Sequence, residues 1–479
     1  MIDTEALRKK VIDLAIRGKL TEQLPTDGTA EELYAQIQEE KTKIVKEGKI
    51  KKEKPLPAIE ADEIPFEIPK NWKWVRLAAI YEINPNVDAD NKAQAAFIPM
   101  EKISAGYSKE FSYEIQDWEH ASKNHTKFQD NDIAFAKISP CFENRKSFIA
   151  KGLPNGIGGG TTELIILRQK RVLPEYSYYI VNDQRFIDAG SVSYKGIVGQ
   201  QRVKTDIVKH YLMPLPPLAE QKRIADKIDE VLAEVDIVDA LQSQYCTNLE
   251  ALKSKIIDAG IRGKLTEQLP TDGTAEELYA QILEEKARLV KEKKIKKDKP
   301  LSAIEADEIP FEIPKNWKWV RLSDISDTNI GLTYHPENIV EHGTVVLRSN
   351  NIQNGNFDFS DLVEVNCSIR DNQYLKKNDI LICARNGSKR LVGKCAIYNG
   401  DLGDVSFGAF MAILRTPLYK FIYYYLTTEA FRRYYSNDDS KQINQVTQDI
   451  LKKAIVPLPP LTEQKRITDK IDEVLQLIR

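Results

Sequence analysis

Between Leu218 and about Ile261 the chain carries no proline, while Pro214, Pro216 and Pro217 bar helix just before it. Apolar residues recur seven apart at Ile224, Val231, Val238, Tyr245 and Leu252. A second series, Ile228, Val235, Leu249 and Ile256, runs beside the first and is broken at Gln242. The two series alternate by three and four, which predicts the seam of a coiled coil over about five heptads, on a helix about 60 Å long. Ile467, Ile471, Val474 and Ile478 keep the same register near the end of the chain, and Leu7, Val11 and Leu14 near its beginning. Both pieces are expected to lie antiparallel on the central helix. Gln242 is expected either to set register or to sit at a solvated end. Elsewhere the apolar runs AFIPM, DIAFAKI, ELIILR, DILICA and FMAILR predict strands, followed by helical stretches rich in Tyr and Phe. Capping-box spacing at Thr29 and Glu32, and again at Thr274 and Glu277, predicts two shorter helices.

The pattern occurs twice because the chain repeats itself. IDLAIRGKLTEQLPTDGTAEELYAQI from Ile12 returns from Ile257 with two of 26 positions changed, and the match continues through ADEIPFEIPKNWKWVRL, ending at Leu77 and at Leu322. PLPPLAEQKRIADKIDEVL from Pro214 is echoed as PLPPLTEQKRITDKIDEVL from Pro457. Two segments of similar length and largely different sequence, 78–213 and 323–456, lie between these blocks. The last residues match the first part of the central helix and the first residues match its last part. Joining end to beginning would nearly rebuild that helix, which is pseudo-twofold symmetry in a chain opened within one of two equivalent helices. The expected fold is α+β: two mixed α/β domains joined by long antiparallel coiled-coil helices, with a pseudo-twofold internal repeat. The expected parts are scaffold 1–77, insert 78–213, central helix and connector 214–322, insert 323–456 and C-terminal helix 457–479.

The 479 residues are 42% apolar and 29% charged, enough for a sizeable core. The 69 Lys plus Arg against 71 Asp plus Glu exclude a protein that coats polyanions by bulk charge, though not one with a basic face. Such a face is predicted inside each insert. Residues 78–120 hold 3 basic and 8 acidic side chains and 121–213 hold 14 and 8; residues 323–375 hold 2 and 8 and 376–456 hold 13 and 7. Two diverged sequences thus share one charge polarity. Lysine-rich tracts from Lys41 and Lys286 could follow a phosphate backbone, although such runs are more often solvated faces.

Within the basic parts, KISPCFENRK (Lys137, Asn144, Arg145, Lys146) and ARNGSKRLVGK (Arg385, Asn386, Ser388, Lys389, Arg390, Lys394) each follow an Asn-Asp-Ile strand start and are expected to form equivalent loops. A second polar cluster precedes each scaffold helix: Lys195, Gln200, Gln201, Arg202 and Lys204, then Lys441, Asn444 and Gln445. Arg pairs bidentately with guanine and Asn or Gln with adenine, while Lys and Ser grip phosphate. Catalytic signatures are missing. There is no GxxxxGK[ST] loop, GIGGGTT from Gly156 is expected to be a loop, and the five histidines lack metal spacing. The five cysteines form no CxxC pair and fit a reducing compartment. The acidic N-terminus and the lack of a long apolar run predict a cytoplasmic protein with no membrane span.

PLPPLxEQKRI leading into a long helix, twice, with two copies of IPxxWxWVRL opening variable segments, resembles the DNA specificity subunit of type I restriction-modification systems over essentially the whole chain. The resemblance implies that each variable segment is a target recognition domain reading one half of a split, asymmetric site in double-stranded DNA. It implies a coiled-coil scaffold that separates the two and docks two modification subunits, which bind S-adenosylmethionine and methylate adenine N6. Restriction subunits using ATP and Mg²⁺ would join them, leaving this chain without cofactor or catalysis. A stand-alone DNA-modifying enzyme and an adaptor whose inserts bind proteins are the competing classes.

Overall fold

A computed structural model describes residues 1–48, 55–169, 171–194, 201–295, 299–436 and 445–478. The chain divides into two compact units, Met1–Ser243 and Gln244–Arg479. Each unit takes one set of repeated blocks together with one insert.

In the first unit the insert is built of two sheets and a helical layer. Strands Glu82–Ile83, Leu164–Arg168, Ile133–Ala136 and Ser147–Ile149 form one antiparallel sheet in that order. Glu114–Asp117, Gln94–Ile98, Ile157–Gly160 and Thr126–Gln129 form the second, with Gln94–Ile98 and Ile157–Gly160 parallel. The central strands are continuous apolar runs because both their faces are covered, successive side chains pointing to opposite sides. Ala134, Leu164 and Ile166 enter the core between the sheets, while Ile133, Phe135, Ile165 and Leu167 pack towards the helices. The helices Pro174–Asn182 and Gln184–Val192 supply Tyr176, Tyr179, Ile180, Phe186 and Ile187 to that second core, which continues into Ile224, Ile228 and Leu232 of the scaffold.

The second unit repeats the plan. Asp327–Ile330, Met411–Arg415, Ile380–Cys383 and Cys395–Ile397 form one sheet, and Ile339–Val340, Val363–Val365, Thr344–Leu347 and Val405–Phe407 the other. Ile380 and Ile382 face Phe421 and Ile422 of the helix Tyr419–Leu426, whereas Leu381 and Cys383 face the second sheet. The inserts, unlike in sequence, are alike in fold. One expectation fails here: after Gly156, which ends a short turn, IGGG forms the strand Ile157–Gly160, not a loop. A Cβ at Gly159 would lie 1.7 Å from the Ala121 carbonyl oxygen, so close backbone approach, not a turn, requires the glycine.

Each insert begins and ends on one two-stranded ribbon. Lys73–Arg76 pairs antiparallel with Leu212–Leu215, and Lys318–Arg321 with Ile455–Leu458. The ribbons are pinned by a buried carboxylate in the first turn of each scaffold helix. Glu220 accepts from the Trp72 indole at 2.8 Å, the Asn71 amide at 3.2 Å and the Gln23 amide at 3.0 Å. Glu463 accepts from Trp317, Asn316 and Gln268 at 2.9, 3.3 and 2.9 Å. Both glutamates are 0% exposed. A helix N-terminus favours negative charge, which complements these three donors.

The long helix runs Leu218–Ile261 without a break. In the first unit the helix Thr4–Ile16 lies antiparallel on it: Thr4 donates to Asp239 at 2.8 Å, and Arg8 pairs with Asp236 at 2.6 Å and with Asp239 at 3.0 Å. The Gln242 amide exchanges two solvent-exposed hydrogen bonds with the backbone of Ile2, at 2.6 and 3.1 Å. In the second unit Leu461–Leu477 packs on the other end of the helix, with Ile467 and Ile471 sharing a core with Ile261.

The seam is therefore shorter than five heptads. Ile224, Ile228, Val235, Ile467 and Ile471 are buried and Val231, Val238, Leu249 and Val474 half-buried, but Tyr245 is 60% and Leu252 45% exposed. Heptad spacing buries a side chain only where a partner helix runs alongside. Thr4–Ile16 starts opposite Asp239 and Gln242, and Leu461–Leu477 meets the helix near Ile261. Among the described residues, no helix is long and apolar enough to cross a membrane.

Replacing Glu220 by Ala is expected to lower the stability of the first unit by about 3 kcal/mol, because three donors lose their acceptor in the interior. Urea unfolding followed by tryptophan fluorescence measures this, and Glu463→Ala should do the same in the second unit. The Asp27 and Asp272 carboxyls are held below the ordinary range, first by hydrogen bonds from Arg223 and Arg466, with ion pairs of 2.6 and 2.7 Å. Their contribution is full above the unfolded value of about 3.9 and is lost as pH falls through the lower folded value. The double variant Asp27→Asn, Asp272→Asn is expected to flatten the loss of stability below about pH 4 in an acid titration of the unfolding midpoint.

Candidate nucleic-acid interface

The Asn-Asp-Ile strand starts place the candidate loops. Asn131 and Asn378 adopt left-handed backbone (φ 71° and 73°), which asparagine tolerates. The next residues, Asp132 and Asp379, are buried and pair with Arg168 at 2.6 Å and Arg415 at 2.5 Å, on the neighbouring strands. Each loop thus leaves its sheet at the same point.

In the first unit three segments are laced together beyond that point. The Lys137 N–H donates to the Glu163 carbonyl at 2.8 Å, Ser139 N–H to the Gln201 carbonyl at 2.8 Å, and Val203 N–H to the Lys137 carbonyl at 2.9 Å. The loop after Ile133–Ala136 and the cluster before the scaffold helix, far apart in sequence, are one surface. Arg202 and Lys204 are exposed there, and Lys137 and Gln201 half-buried. Arg202 pairs with Glu163 at 2.8 Å, and this hydrogen bond holds the Glu163 carboxyl below its ordinary range.

The second unit is laced in the same way. Ala384 and Arg385 N–H groups both donate to the Phe410 carbonyl, at 2.9 and 3.0 Å, and Val446 N–H donates to the Ala384 carbonyl at 2.8 Å. Arg385 forms a bridge with Gln445, and its guanidinium sits 5.7 Å from the centre of the Phe410 ring. Ser388, Lys389 and Arg390 are exposed along the loop. A hollow of about 1130 Å³ opens beside them, lined among others by Arg348, Asn350, Arg385, Asn386, Lys389 and Phe410.

Some expected contacts turn inward. Arg145 donates to the Asn182 carbonyl at 3.0 Å and lies over the Tyr107 ring, and Lys146 donates to the Met100 carbonyl at 2.8 Å. Lys394, at the same place in the second insert as Lys146, donates to the Ile352 carbonyl at 2.9 Å, and burial lowers its pKa. These three brace the loops through hydrogen bonds to backbone carbonyls. Asn386 donates to the Ser349 hydroxyl at 2.9 Å and accepts from Ser388 N–H, which shapes the loop. Asn144 is exposed. Lys195, Gln200, Lys441 and Asn444 lie outside the described residues, as do parts of both lysine-rich tracts. The first lysine of each tract is tied to backbone: Lys41 donates to Ala78 at 2.7 Å and Lys286 to Ser326 at 3.2 Å.

Glu163 and Phe410 were missed by sequence reasoning, although a signal existed. They are the first residues of ELIILR and FMAILR, strand-forming runs that occupy the same place in the two inserts. Among the described residues no group of His, Cys, Asp and Glu is placed to hold a metal ion, and the five cysteines form no disulfide with one another.

The family model for the Type I restriction modification DNA specificity domain matches residues 69–244 and again 314–479, so the two matches cover most of the chain and follow its repeat. This chain belongs to the type I restriction-modification specificity subunits. The EcoAI specificity subunit of Escherichia coli is 35% identical over 98% of this chain and 88% of its own length. The EcoEI specificity subunit of Escherichia coli is 38% identical over 67% of this chain and 61% of its own length. A solved chain described under the assembly and conformational transition of the type I restriction-modification system superimposes with a TM-score of 0.63 at 20% identity, covering 86% of this chain and 92% of that one. It shares the fold. As a specificity subunit the chain is a non-catalytic, DNA-recognising component, and the catalytic activities of type I systems lie on other subunits.

Proposed function

We propose that the insert of each unit reads one half of a bipartite, asymmetric site in double-stranded DNA, and that the helical scaffold sets the gap between the halves. The observation that carries this reading is the pair of laced clusters: one backbone framework, built twice, with different side chains. Glu163 and Phe410 occupy matching places, as do Arg202 and Gln445, and the two clusters offer different groups to base edges. Unlike readers on like supports imply unlike half-sequences.

In the same reading two modification subunits dock on the scaffold, bind S-adenosylmethionine and methylate adenine N6, and restriction subunits using ATP and Mg²⁺ join through them. The exposed Tyr245 and Leu252 support a docking role, since apolar side chains repeated along a polar helix mark contact surfaces.

Exchange of segment 323–456 for the corresponding segment of another family member is expected to change one half-site and leave the other unchanged, as read by footprinting of the assembled complex. Change in both halves would reject the reading. Insertion of four helical residues near Gln242 is expected to lengthen the gap between half-sites, since four residues add about 6 Å, close to two base-pair steps. Sites selected from randomised duplexes measure the gap, and an unchanged gap would reject the scaffold as its ruler.

A further inference from the structure

We infer that Phe410 and Arg385 act as one reading unit in the second insert, with the Phe410 ring against the C5-methyl group of a thymine in the major groove and Arg385 on an adjacent guanine. The inference rests on the reading of this insert as a DNA reader, and names the base chemistry it takes.

Phe410 is 62% exposed, although burying a phenylalanine side chain stabilises a fold. It stands on the rim of the hollow, among Arg348, Asn386 and Lys389. An apolar ring ringed by cationic and amide groups suits a surface that is itself apolar at one spot and anionic around it. The major-groove edge of a thymine step has that character: its methyl group is the one apolar feature that bases present there, and phosphates flank it. The excess of basic residues in 376–456, 13 against 7 acidic, fits the flanks.

The backbone that carries the ring is also held in place. The Phe410 carbonyl accepts from both Ala384 and Arg385 N–H, so the backbones that carry the ring and the guanidinium move as one piece. Leu332 N–H donates to the Phe407 carbonyl at 2.7 Å, and Gly408 N–H to the Leu347 carbonyl at 3.0 Å. Gly331 permits this approach, since a Cβ there would lie 2.2 Å from the Phe407 and Gly408 carbonyl oxygens. The turn before Met411–Arg415 is thus locked from below, and little ordering remains to be done on binding. Arg385 lies over the ring edge of the same platform, where its planar fork can meet the O6 and N7 acceptors of a neighbouring guanine.

The first insert supplies the contrast. Its matching residue is Glu163, whose carbonyl accepts from Lys137 N–H as Phe410 accepts from Ala384. The carboxylate has no apolar surface for a methyl group and instead holds Arg202. The position at the start of this strand is therefore a selector, filled by an acid in one reader and an aromatic ring in the other.

The test uses the full chain assembled with its modification subunits. A site is first selected from a randomised duplex pool, and each thymine of the half-site read by 323–456 is then replaced in turn by deoxyuridine, which lacks only the methyl group. One such replacement is expected to weaken binding about fivefold, the effect of one lost methyl contact. In the Phe410→Ala variant the thymine and uracil duplexes should bind within about twofold of each other. Arg385→Lys should relax discrimination at the neighbouring guanine pair, because the bidentate fork is lost. A half-site without thymine, indifference of the unsubstituted complex to every uracil, or a uracil penalty that persists in Phe410→Ala would overturn the inference. Failure to select any bipartite site would instead overturn the reading beneath it.

Discussion

A carboxylate buried at the start of each scaffold helix is the constraint on which the architecture rests. Glu220 and Glu463 have no cationic partner among the hydrogen bonds that hold them; each takes an indole, an asparagine amide and a glutamine amide instead. Those donors come from two places, the connector after a scaffold helix and the Asn-Trp pair just before the ribbon strand, and they converge on a third segment, the start of the next scaffold helix. An ionised group removed from water is tolerable only when its hydrogen-bonding capacity is filled. The three segments can therefore meet in one way, and the start and end of each insert are fixed on the same short ribbon. Whatever lies between can diverge without disturbing the support. This is a physical reason for nearly identical scaffolds carrying inserts with little sequence in common.

Much of this was legible before any coordinates. The duplication, the long helix and the strand-forming runs follow from periodicity that the fold keeps almost intact. Shared charge polarity located the equivalent basic parts of two unlike inserts. What periodicity does not report is where a partner stops. Tyr245 and Leu252 fit the heptad pattern and are nonetheless exposed, because the pattern describes one helix and burial requires two. Glycines mislead for a related reason: in Ile157–Gly160 they answer to a carbonyl from another element, which no local window contains.

Side-chain roles were less legible than backbone. Arg145, Lys146 and Lys394 have the residue types of phosphate contacts but use them to tie loops to carbonyls, and composition alone cannot separate those uses. The described parts of the two polar clusters of each insert lie on a single surface, since backbone hydrogen bonds join segments about sixty residues apart. Glu163 and Phe410 went unnoticed because neither is a conventional DNA-binding residue. What they have in common is a place, the start of matching strands.

The central claim is that two unlike readers on like supports define one split, asymmetric site. Mapping methylated adenines across a genome in which this chain is expressed with its modification partner tests it most directly. The account predicts a single motif with two different specific halves separated by a non-specific gap of constant length. A continuous motif, a palindrome, or a gap that varies from site to site would contradict it.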